Sequence, residues 1–517
     1  MRNPTKVTTP PPKIRWAIFL LIALLALAIR LPQLGERPMH TDEAVNGYIT
    51  GQLLAAEKYH YDPQDRHGPV LYLLAKPIAQ LCGAKNFSEL TETELRLTPV
   101  IIGSAMIFLF GAAVEMFGFI PCLIAALLFA CGPLPVYYSR YFIHETLFVA
   151  ATFGLMLSGW QTFKNNSLAA AALAGLCAAL MLANKETAVI HFFALGVAGF
   201  IVWFRKPDKK FPAPKILATA FLVFVTSAVL LFTWFGQNWA ALTDLLHAIP
   251  RFAARAGGEG HEKPFGYYLQ ILDPRFIFSL VAVAGVYGVI CDAVAGVRRA
   301  GLLLAIYGLL IFLIYSAIPY KTPWLALNFW LPLALLCGIG VEGVWQQFTS
   351  ATGRSIAAIG VAALLLVAGQ QTKTLAFDYP ADEKNPLAYA HTGEDLLRLP
   401  VRLEQLAKEK NLTHPRIDVV AADAWPLPWY LRKFSEVGFW QPGQETGAAD
   451  FYITSTDVSD ALAKQLEHFR PEFFGVRPNV LIILWIPIAP GKNSTAIEAG
   501  GASVLASRTS LPTKARQ

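Results

Sequence analysis

Charged residues are scarce in this sequence. Asp, Glu, Lys and Arg make up 15% of its 517 residues, whereas soluble domains carry about 25%. Hydrophobic residues make up 55%, and many of them are grouped in blocks of roughly 17 to 25, the length that a hydrocarbon layer of about 30 Å requires of a helix. This pattern argues against a soluble fold and predicts a polytopic α-helical membrane protein.

Cysteine is also scarce, and two further signals are missing. The six cysteines lie in or beside apolar blocks and none follows residue 371, so neither a disulfide framework nor a CxxC metal pair is expected. No A-x-A-like cleavage site follows the first apolar block, which we interpret as an uncleaved first span. The net charge of +7 comes from basic residues clustered between apolar blocks, a placement that argues against a nucleic-acid partner.

Apolar windows predict about eleven transmembrane helices. The basic residues concentrate in alternate loops, most clearly in 205–215, which carries five Lys or Arg against one Asp. The positive-inside rule therefore places the N-terminus, 1–15, in the cytoplasm and everything from 372 onward outside the cytoplasmic membrane. The predicted spans of the transmembrane domain, 16–371, are 16–34, 95–117, 119–137, 142–161, 167–184, 187–204, 215–236, 276–294, 299–318, 323–346 and 354–371. The segment 68–83 in the first outer loop, 35–94, is short and predicts an interfacial helix.

The segment 372–490 differs from the rest because charges return and short strand-like runs appear. The runs 417–423, 451–456 and 480–486 are rich in β-branched residues, while 394–410 and 457–469 have helical spacing. A small extracytoplasmic α/β domain is expected. The tail 491–517 is rich in Gly, Ser, Thr and Ala and is predicted to be disordered.

Polar clusters follow the predicted outer ends of the spans. Each has an ordinary explanation: Asp42 and Glu43 after Thr41, for example, are a good helix start with a Thr cap and acids in the first turn. Together they predict a polar cavity that opens outward, because ionisable groups at membrane depth are costly and tend to face cavities or partners. The clusters are His40, Asp42 and Glu43; Asp62, Asp65, Arg66 and His67; Arg140, His144 and Glu145; Lys185 and Glu186; Arg251, Arg255, His261, Glu262 and Lys263; and Tyr320 and Lys321.

This mixture of side chains suits transfer of a group from a lipid-linked donor. A carboxylate can act as general base toward an acceptor hydroxyl, cations can stabilise a departing phosphate, and aromatic rings can stack on sugars. Nucleotide-activated donors are not expected outside the cytoplasm, so the activated group would arrive attached to a lipid.

An ordered set of motifs resembles the GT-C superfamily, the integral-membrane glycosyltransferases that use polyprenyl-phosphate sugars. The stretch HTDEAVNGYITGQLL resembles protein O-mannosyltransferases of glycosyltransferase family 39 and aminoarabinose transferases. The whole set is more similar to the archaeal-type flippase-activity-associated family, and it covers most of residues 16–490. Its members are TDEAVNGY, YDPQDRHGPVLYLL, SRYFIHE, NKET, YKTPW, NPLAYAHT and DAWPLPWYLR.

The resemblance implies roles for particular residues. It makes Asp42, with Glu43 beside it, the catalytic base or the group that orients the acceptor, and it implies inversion at the sugar carbon. Its second acidic motif corresponds to His144 and Glu145, where related oligosaccharyltransferases hold a divalent metal. A metal here, Mg or Mn, would therefore be held by Asp42, His144 and Glu145, although the first loop lacks a DxD motif.

Other candidates for substrate and phosphate binding follow from chemistry. Arg140, Lys185 and Lys321 are cations suited to the donor phosphate. The remaining candidates in the same clusters are His67, Glu186 and Tyr320.

Two other classes of protein stay open at this point. A flippase or transporter of lipid-linked sugars would place ionisable residues near the bilayer midplane, whereas these motifs lie at span ends. A non-catalytic partner in surface-glycan assembly could use DAWPLPWYLR (423–432) as a sugar-stacking surface, although these aromatic residues could equally form the core of the small domain. The expected partners of an enzyme are a polyprenyl-phosphate sugar, membrane lipids and a protein, lipid or glycan acceptor.

Overall fold

The computed structural model describes residues 9–55, 58–63, 66–205, 211–258, 260–272, 277–295, 299–458 and 462–488. Four features of the sequence analysis lie outside the described residues. They are the first eight residues of the predicted cytoplasmic N-terminus, Asp65, the centre of the basic loop at 206–210, and the predicted tail 491–517.

The chain divides into two compact units. The first contains the chain up to Glu394 together with Trp425–Lys433, and the second contains Asp395–Ala424 and the chain from Phe434. The first unit therefore extends beyond 371, where the sequence analysis placed its end. Hydrogen bonds explain the difference, because the hydroxyls of Tyr137 and Tyr138 donate to the carbonyls of Pro380 (2.7 Å) and Leu387 (3.1 Å).

The first unit is almost entirely helical. A π-helical turn, Thr374–Asp378, extends its last long helix, and a short helix, Leu427–Tyr430, lies in its second segment. Its other α-helices are α1 (Pro12–Arg30), α2 (Thr41–Leu54), α3 (Val70–Cys82), α4 (Glu92–Ala105), α5 (Ile107–Phe117), α6 (Phe119–Cys131), α7 (Pro133–Ser139), α8 (Glu145–Asn165), α9 (Leu168–Leu182), α10 (Ala188–Phe204), α11 (Pro214–Phe232), α12 (Ala241–Arg255), α13 (Tyr267–Leu272), α14 (Ile277–Ala295), α15 (Arg299–Ala317), α16 (Ala326–Gln347) and α17 (Ala351–Lys373).

Several of these helices are long and apolar enough to cross a membrane. Among the described residues there are six, or seven if α6 and α7, which are bent by 54° to one another, form one broken span. Shorter apolar helices are Val70–Cys82, Leu168–Leu182, Ala188–Phe204 and Ser279–Ile290. The fold is thus that of a helical membrane protein, and the count of eleven spans stays a prediction. The six are Pro12–Arg30, Glu92–Phe117, Pro214–Phe232, Ala300–Ala317, Pro323–Gln347 and Ala351–Asp378.

These spans differ in how far the protein covers them. The span Pro323–Gln347 is 89% buried, whereas Pro12–Arg30 is 22% and Ala351–Asp378 only 11% buried. The exposed side chains of the last two are apolar, as Leu21 and Leu366 are. A helix that is apolar all round and uncovered by protein is suited to contact with lipid, so α1 and α17 form a lipid-facing side of the bundle.

The second unit contains a five-stranded mixed sheet. Its strands are β1 (Arg416–Val420), β2 (Glu436–Trp440), β3 (Phe451–Ser455), β4 (Phe469–Arg477) and β5 (Val480–Pro487), in the order β2-β1-β3-β5-β4. β1 pairs parallel with β2 and β3, while β5 pairs antiparallel with β3 and β4. A helix, α18 (Arg398–Glu409), precedes the sheet and buries Leu399, Leu403 and Leu406. The small α/β domain is therefore present.

The motif DAWPLPWYLR does not belong to the core of this domain. Its residues 425–432 belong to the first unit, where Trp429 is fully buried and its indole Nε1 donates to Glu92 at 2.7 Å. The backbone nitrogen of Met39 donates to the Tyr430 hydroxyl at 2.8 Å. Both interpretations from the sequence, a sugar-stacking surface and a core of the small domain, miss this role in fastening the first unit.

Candidate active site

The start of helix α2 is fixed by a histidine. His40, and not Thr41, is the N-cap: its Nδ1 accepts from the backbone nitrogen of Asp42 at 3.0 Å, and its Nε2 donates to the carbonyl of Tyr389 at 3.1 Å. These two bonds require the neutral tautomer that carries its proton on Nε2. Burial lowers the pKa of His40 and favours the same neutral form.

Glu43 is enclosed in a network of donors. The Arg96 guanidinium binds it through two bonds of 2.8 Å, the backbone nitrogen of Phe142 donates to it at 2.9 Å, and Arg37 lies 3.5 Å away. Burial alone would raise the pKa of Glu43, but Arg96 and Arg37 outweigh it and hold this pKa at about 2. Glu43 is therefore a buried carboxylate anion that ties α2 to α4 and to the chain before α8.

The neighbouring carboxylate of Asp42 is in a different situation. It is partly exposed, and no residue in the described part of the chain forms a hydrogen bond or ion pair with it. Asn46 lies one turn further along α2 and thus on the same side of the helix. The Asn46 side chain donates to the carbonyl of Phe142 at 3.0 Å and accepts from the Tyr72 hydroxyl at 2.9 Å. That side of α2 therefore faces α3 and the start of α8.

The start of α8 holds a buried ion pair. The ammonium of Lys185 donates to the carboxylate of Glu145, and both side chains are less than 10% exposed. The preceding residue, His144, is buried, and its ring lies 5.0 Å from that of His67 and 5.8 Å from that of Tyr72. Its Nε2 has no hydrogen-bond partner among the described residues.

The residue after Lys185 forms a second anionic centre. Glu186 accepts from the Tyr61 hydroxyl at 2.6 Å and from the Nδ1 of His67 at 2.8 Å. Burial would raise the pKa of Glu186, but the charge and hydrogen bond of His67, with the hydrogen bond of Tyr61, lower it overall. The His67 side chain is 29% exposed. Its Nδ1 is bound to Glu186, and its Nε2 makes no hydrogen bond within the described part of the chain.

A third polar group, the loop group, consists of His261, Tyr320, Lys321 and Tyr389 around the loop that follows α12. The Nδ1 of His261 is 2.8 Å from the Tyr389 hydroxyl, and its ring lies 4.7 Å from that of Tyr320. Burial lowers the pKa of His261, and the nearby charge of Asp42 acts in the opposite direction. Lys321 is buried, with its ammonium bound to the carbonyls of Ile318 (2.5 Å) and Lys263 (3.0 Å). Burial lowers the pKa of Lys321.

Helix α2 connects these groups, and Arg140 adjoins them. His40 binds Tyr389 of the loop group, while Asn46 binds Tyr72, whose ring packs on His144. The guanidinium of Arg140 instead donates to the carbonyls of Arg30, Pro32 and Gln33, at the end of α1. Arg140 adjoins the network through Arg37, whose guanidinium donates to the Arg140 carbonyl at 2.8 Å and lies 3.5 Å from Glu43. The structure thus brings most predicted site residues to the two ends of one network. These are Asp42, Glu43, His67, His144, Glu145, Lys185, Glu186, Tyr320 and Lys321.

The expected metal ligands do not fit a metal as they stand. Asp42, His144 and Glu145 are all described, and no group of three or more His, Cys, Asp or Glu in the described residues is arranged to hold an ion. Glu145 is instead neutralised by Lys185. We therefore derive no step through a metal.

Sequence reasoning missed several residues that organise the site. Arg96 and Arg37 were not candidates, although an arginine within an apolar helix such as α4 is itself a signal for a buried partner. Tyr61 and Tyr389 lie within the quoted motifs YDPQDRHGPVLYLL and NPLAYAHT but were assigned no role. Their tyrosine hydroxyls reach partners far away in the sequence, which residue spacing cannot reveal.

Comparison with known proteins defines the class of fold first. ArnT from Cupriavidus metallidurans, solved with undecaprenyl phosphate, matches with a TM-score of 0.62 at 13% identity, over 91% of this chain and 98% of that one. The oligosaccharyltransferase AglB from Archaeoglobus fulgidus, in complex with an inhibitory peptide and dolichol-phosphate, matches with a TM-score of 0.56 at 12% identity, over 92% and 76%. The chain has the GT-C fold.

A family model agrees with this fold. Residues 66–232 match the family described as dolichyl-phosphate-mannose-protein mannosyltransferase. No curated protein sequence matches the chain. The arabinofuranosyltransferase AftD from Mycobacteria matches with a TM-score of 0.51 at 15% identity, over 93% of this chain and 40% of that one. The resemblance to the GT-C superfamily is confirmed, and the closer resemblance to the flippase-activity-associated family stays a prediction.

Proposed function

We propose that this protein is a glycosyltransferase that moves a sugar from a polyprenyl-phosphate carrier to an acceptor at the outer face of the cytoplasmic membrane, with inversion at the sugar carbon. Eleven spans, an N-terminus inside and the small domain outside are parts of the same proposal. The fold supports it. So do the structures of ArnT bound to undecaprenyl phosphate and of AglB in complex with a dolichol-phosphate. The acceptor is a protein, a lipid or a glycan.

The unpaired carboxylate of Asp42 is the observation that carries the proposal. Its neighbour Glu43 is fully engaged by Arg96 and Phe142, so we assign Glu43 the role of positioning α2. Asp42 keeps both oxygens available for an acceptor hydroxyl. Asp42 therefore either removes the proton of the acceptor or orients its hydroxyl group.

The donor phosphate is assigned to the group at the start of α8. His67 presents its Nε2, and Glu186 holds the opposite nitrogen, so a protonated His67 would direct a donor and a positive charge at a phosphate. Lys185, which is paired with Glu145, adds a positive charge to this group. His144 lies next to both residues of the pair. Tyr320 and Lys321 belong to the group around His261, whose pKa is affected by the charge of Asp42, and they are assigned to the sugar and acceptor.

Replacing Asp42 with Asn tests the proposal. With radiolabelled polyprenyl-phosphate mannose and membranes of the source organism as acceptor, we expect transfer to fall by about 10²–10⁴-fold, the usual effect of losing an acid–base group. Glu94→Gln, which removes a carboxylate from the first turn of α4, is the matched control and should keep full activity. Unchanged transfer by the Asp42 variant in a folded protein would contradict the central role of Asp42.

Two further measurements separate the alternatives. A general base moves a proton in the transition state, so a kinetic solvent isotope effect on transfer distinguishes a base from an orienting group. In reconstituted vesicles, movement of the labelled lipid across the bilayer without covalent transfer would favour a flippase instead.

A further inference from the structure

A cavity of about 300 Å³ lies beside the outer end of α1. It is lined by Ile29 and Pro32 at the end of α1, Cys131 from α6, Gly369, Thr372 and Lys373 from α17, and Phe377 from its π-helical extension. Its volume reaches the lower end of the range found for small-molecule pockets. The lining is largely apolar, so the cavity is suited to part of a hydrocarbon chain.

A second, smaller cavity adjoins the first at Phe377. It measures about 20 Å³ and is lined by the guanidinium groups of Arg37, Arg96 and Arg140. That volume accepts about one water-sized group, such as a single phosphate oxygen. The Arg140 guanidinium also lies 4.2 Å from the centre of the Phe377 ring, so the apolar and the cationic cavities share one wall.

Two arginines in the small cavity have donors to spare. Arg37 is 7% exposed, and its buried Nε has no hydrogen-bond partner among the described residues. Arg140 forms three hydrogen bonds to carbonyls, whereas a guanidinium group has five N–H donors. Both arginines can therefore donate to an added anion.

The charge around this cavity is unbalanced. Four buried guanidinium groups are near three carboxylates, buried Glu43, exposed Glu36 and Glu92. Glu92 also pairs with Arg432, so the guanidinium groups outnumber the carboxylates. Buried charges at the edge of a membrane are costly unless an opposite charge accompanies them. The arginines are Arg30, Arg37, Arg96 and Arg140.

We propose that these joined cavities bind an anionic phospholipid, with a phosphate oxygen among the arginines and an acyl chain beside Gly369. The helices α1 and α17 are the lipid-facing side of the bundle, where phospholipid is the most abundant phosphate-bearing molecule. Asp42 lines neither cavity. The site is therefore a lipid site distinct from the proposed transfer site, although Arg37 and Arg96 also hold Glu43, and Arg140 belongs to it rather than to the donor phosphate.

Filling the apolar cavity tests this proposal. A Cβ at Gly369 would meet no atom within 4 Å, so Gly369→Leu adds bulk to the cavity without a clash. Gly360, on the same helix, has equally open surroundings but does not line the cavity. Gly360→Leu is therefore the matched control for folding and helix propensity, and Gly369→Ala gives a graded variant.

Native mass spectrometry of the purified full-length chain gives the readout. We expect dioleoyl phosphatidylglycerol to be retained about tenfold more tightly than dioleoyl phosphatidylcholine, which has the same chains but no net charge. Gly369→Leu should weaken retention of phosphatidylglycerol about tenfold, Gly369→Ala less, and Gly360→Leu not at all.

Four results would overturn the proposal. One is equal retention of phosphatidylglycerol by Gly369→Leu and the unchanged protein, and another is equal retention of the two phospholipids. Undecaprenyl phosphate bound in place of phosphatidylglycerol would identify a carrier-lipid site. Displacement of phosphatidylglycerol by millimolar inorganic phosphate would identify free phosphate as the ligand.

Discussion

The two ends of helix α8 carry ion pairs of very different kinds. At its start, Glu145 and Lys185 are 3% and 8% exposed. At its other end, Lys164 and Glu115 lie 3.5 Å apart and are 47% and 59% exposed. The first pair is surrounded by His144, His67 and Glu186, and the second by solvent. The comparison shows that ion pairs at the two ends of one helix can differ strongly in how far they are withdrawn from water.

Removing the cation from each pair gives the largest expected difference. Lys185→Met leaves the Glu145 carboxylate buried without a partner and should lower the free energy of unfolding by about 3–5 kcal/mol. Lys164→Met breaks an exposed pair and should cost less than about 1 kcal/mol. Denaturant titration of the purified variants in detergent measures both. Equal losses would show that the two ends of α8 do not differ as their burial indicates.

The sequence predicted the central strands of the small domain but not its edge strands. The runs 417–423, 451–456 and 480–486 correspond to β1, β3 and β5, which are the three central strands of the order β2-β1-β3-β5-β4. The two that were missed, β2 and β4, are the edge strands. Edge strands tolerate residues that are rare in central strands, and Pro471 in β4 and Gly438 in β2 interrupt the β-branched pattern by which the other strands were predicted.

The sequence grouped the candidate site residues but did not pair them. Spacing along the chain placed Glu145 and Lys185 in clusters at the same predicted face, but nothing in the sequence paired them or assigned Glu43 to Arg96. Such pairs join positions far apart in the chain and depend on helix packing. Adjacent residues, as Asp42 and Glu43 show, can have opposite roles because successive helix positions point in different directions.

Glu43 and Arg96 form a second buried ion pair, and the stability that this pair contributes should depend on pH. The Glu43 pKa of about 2 lies below its ordinary value of 4.5, so the stabilisation is complete above about pH 4.5 and is lost as the pH falls toward 2. The difference corresponds to about 3 kcal/mol. Glu43→Gln should therefore be less stable at neutral pH and lose less on acidification.

Unfolding titrations between pH 6 and pH 3 measure this effect. Glu115→Gln, at the exposed end of α8, is the control and should follow the wild-type pH profile. A wild-type profile for Glu43→Gln as well would mean that Arg96 does not hold this carboxylate ionised.

Removing a single hydroxyl from the Glu186 group gives the smallest expected effect. Tyr61→Phe deletes the 2.6 Å bond to the carboxylate but keeps the ring that packs on Phe232, and hydrogen bonds to charged groups contribute about 1.5–3 kcal/mol. Tyr59→Phe is the matched variant, because the Tyr59 hydroxyl donates to the neutral carbonyl of His67. The loss of this bond should cost about 1 kcal/mol.

The same unfolding titration compares the two variants. If Tyr59→Phe costs as much as Tyr61→Phe, the acceptor of Tyr61 does not behave as an anion.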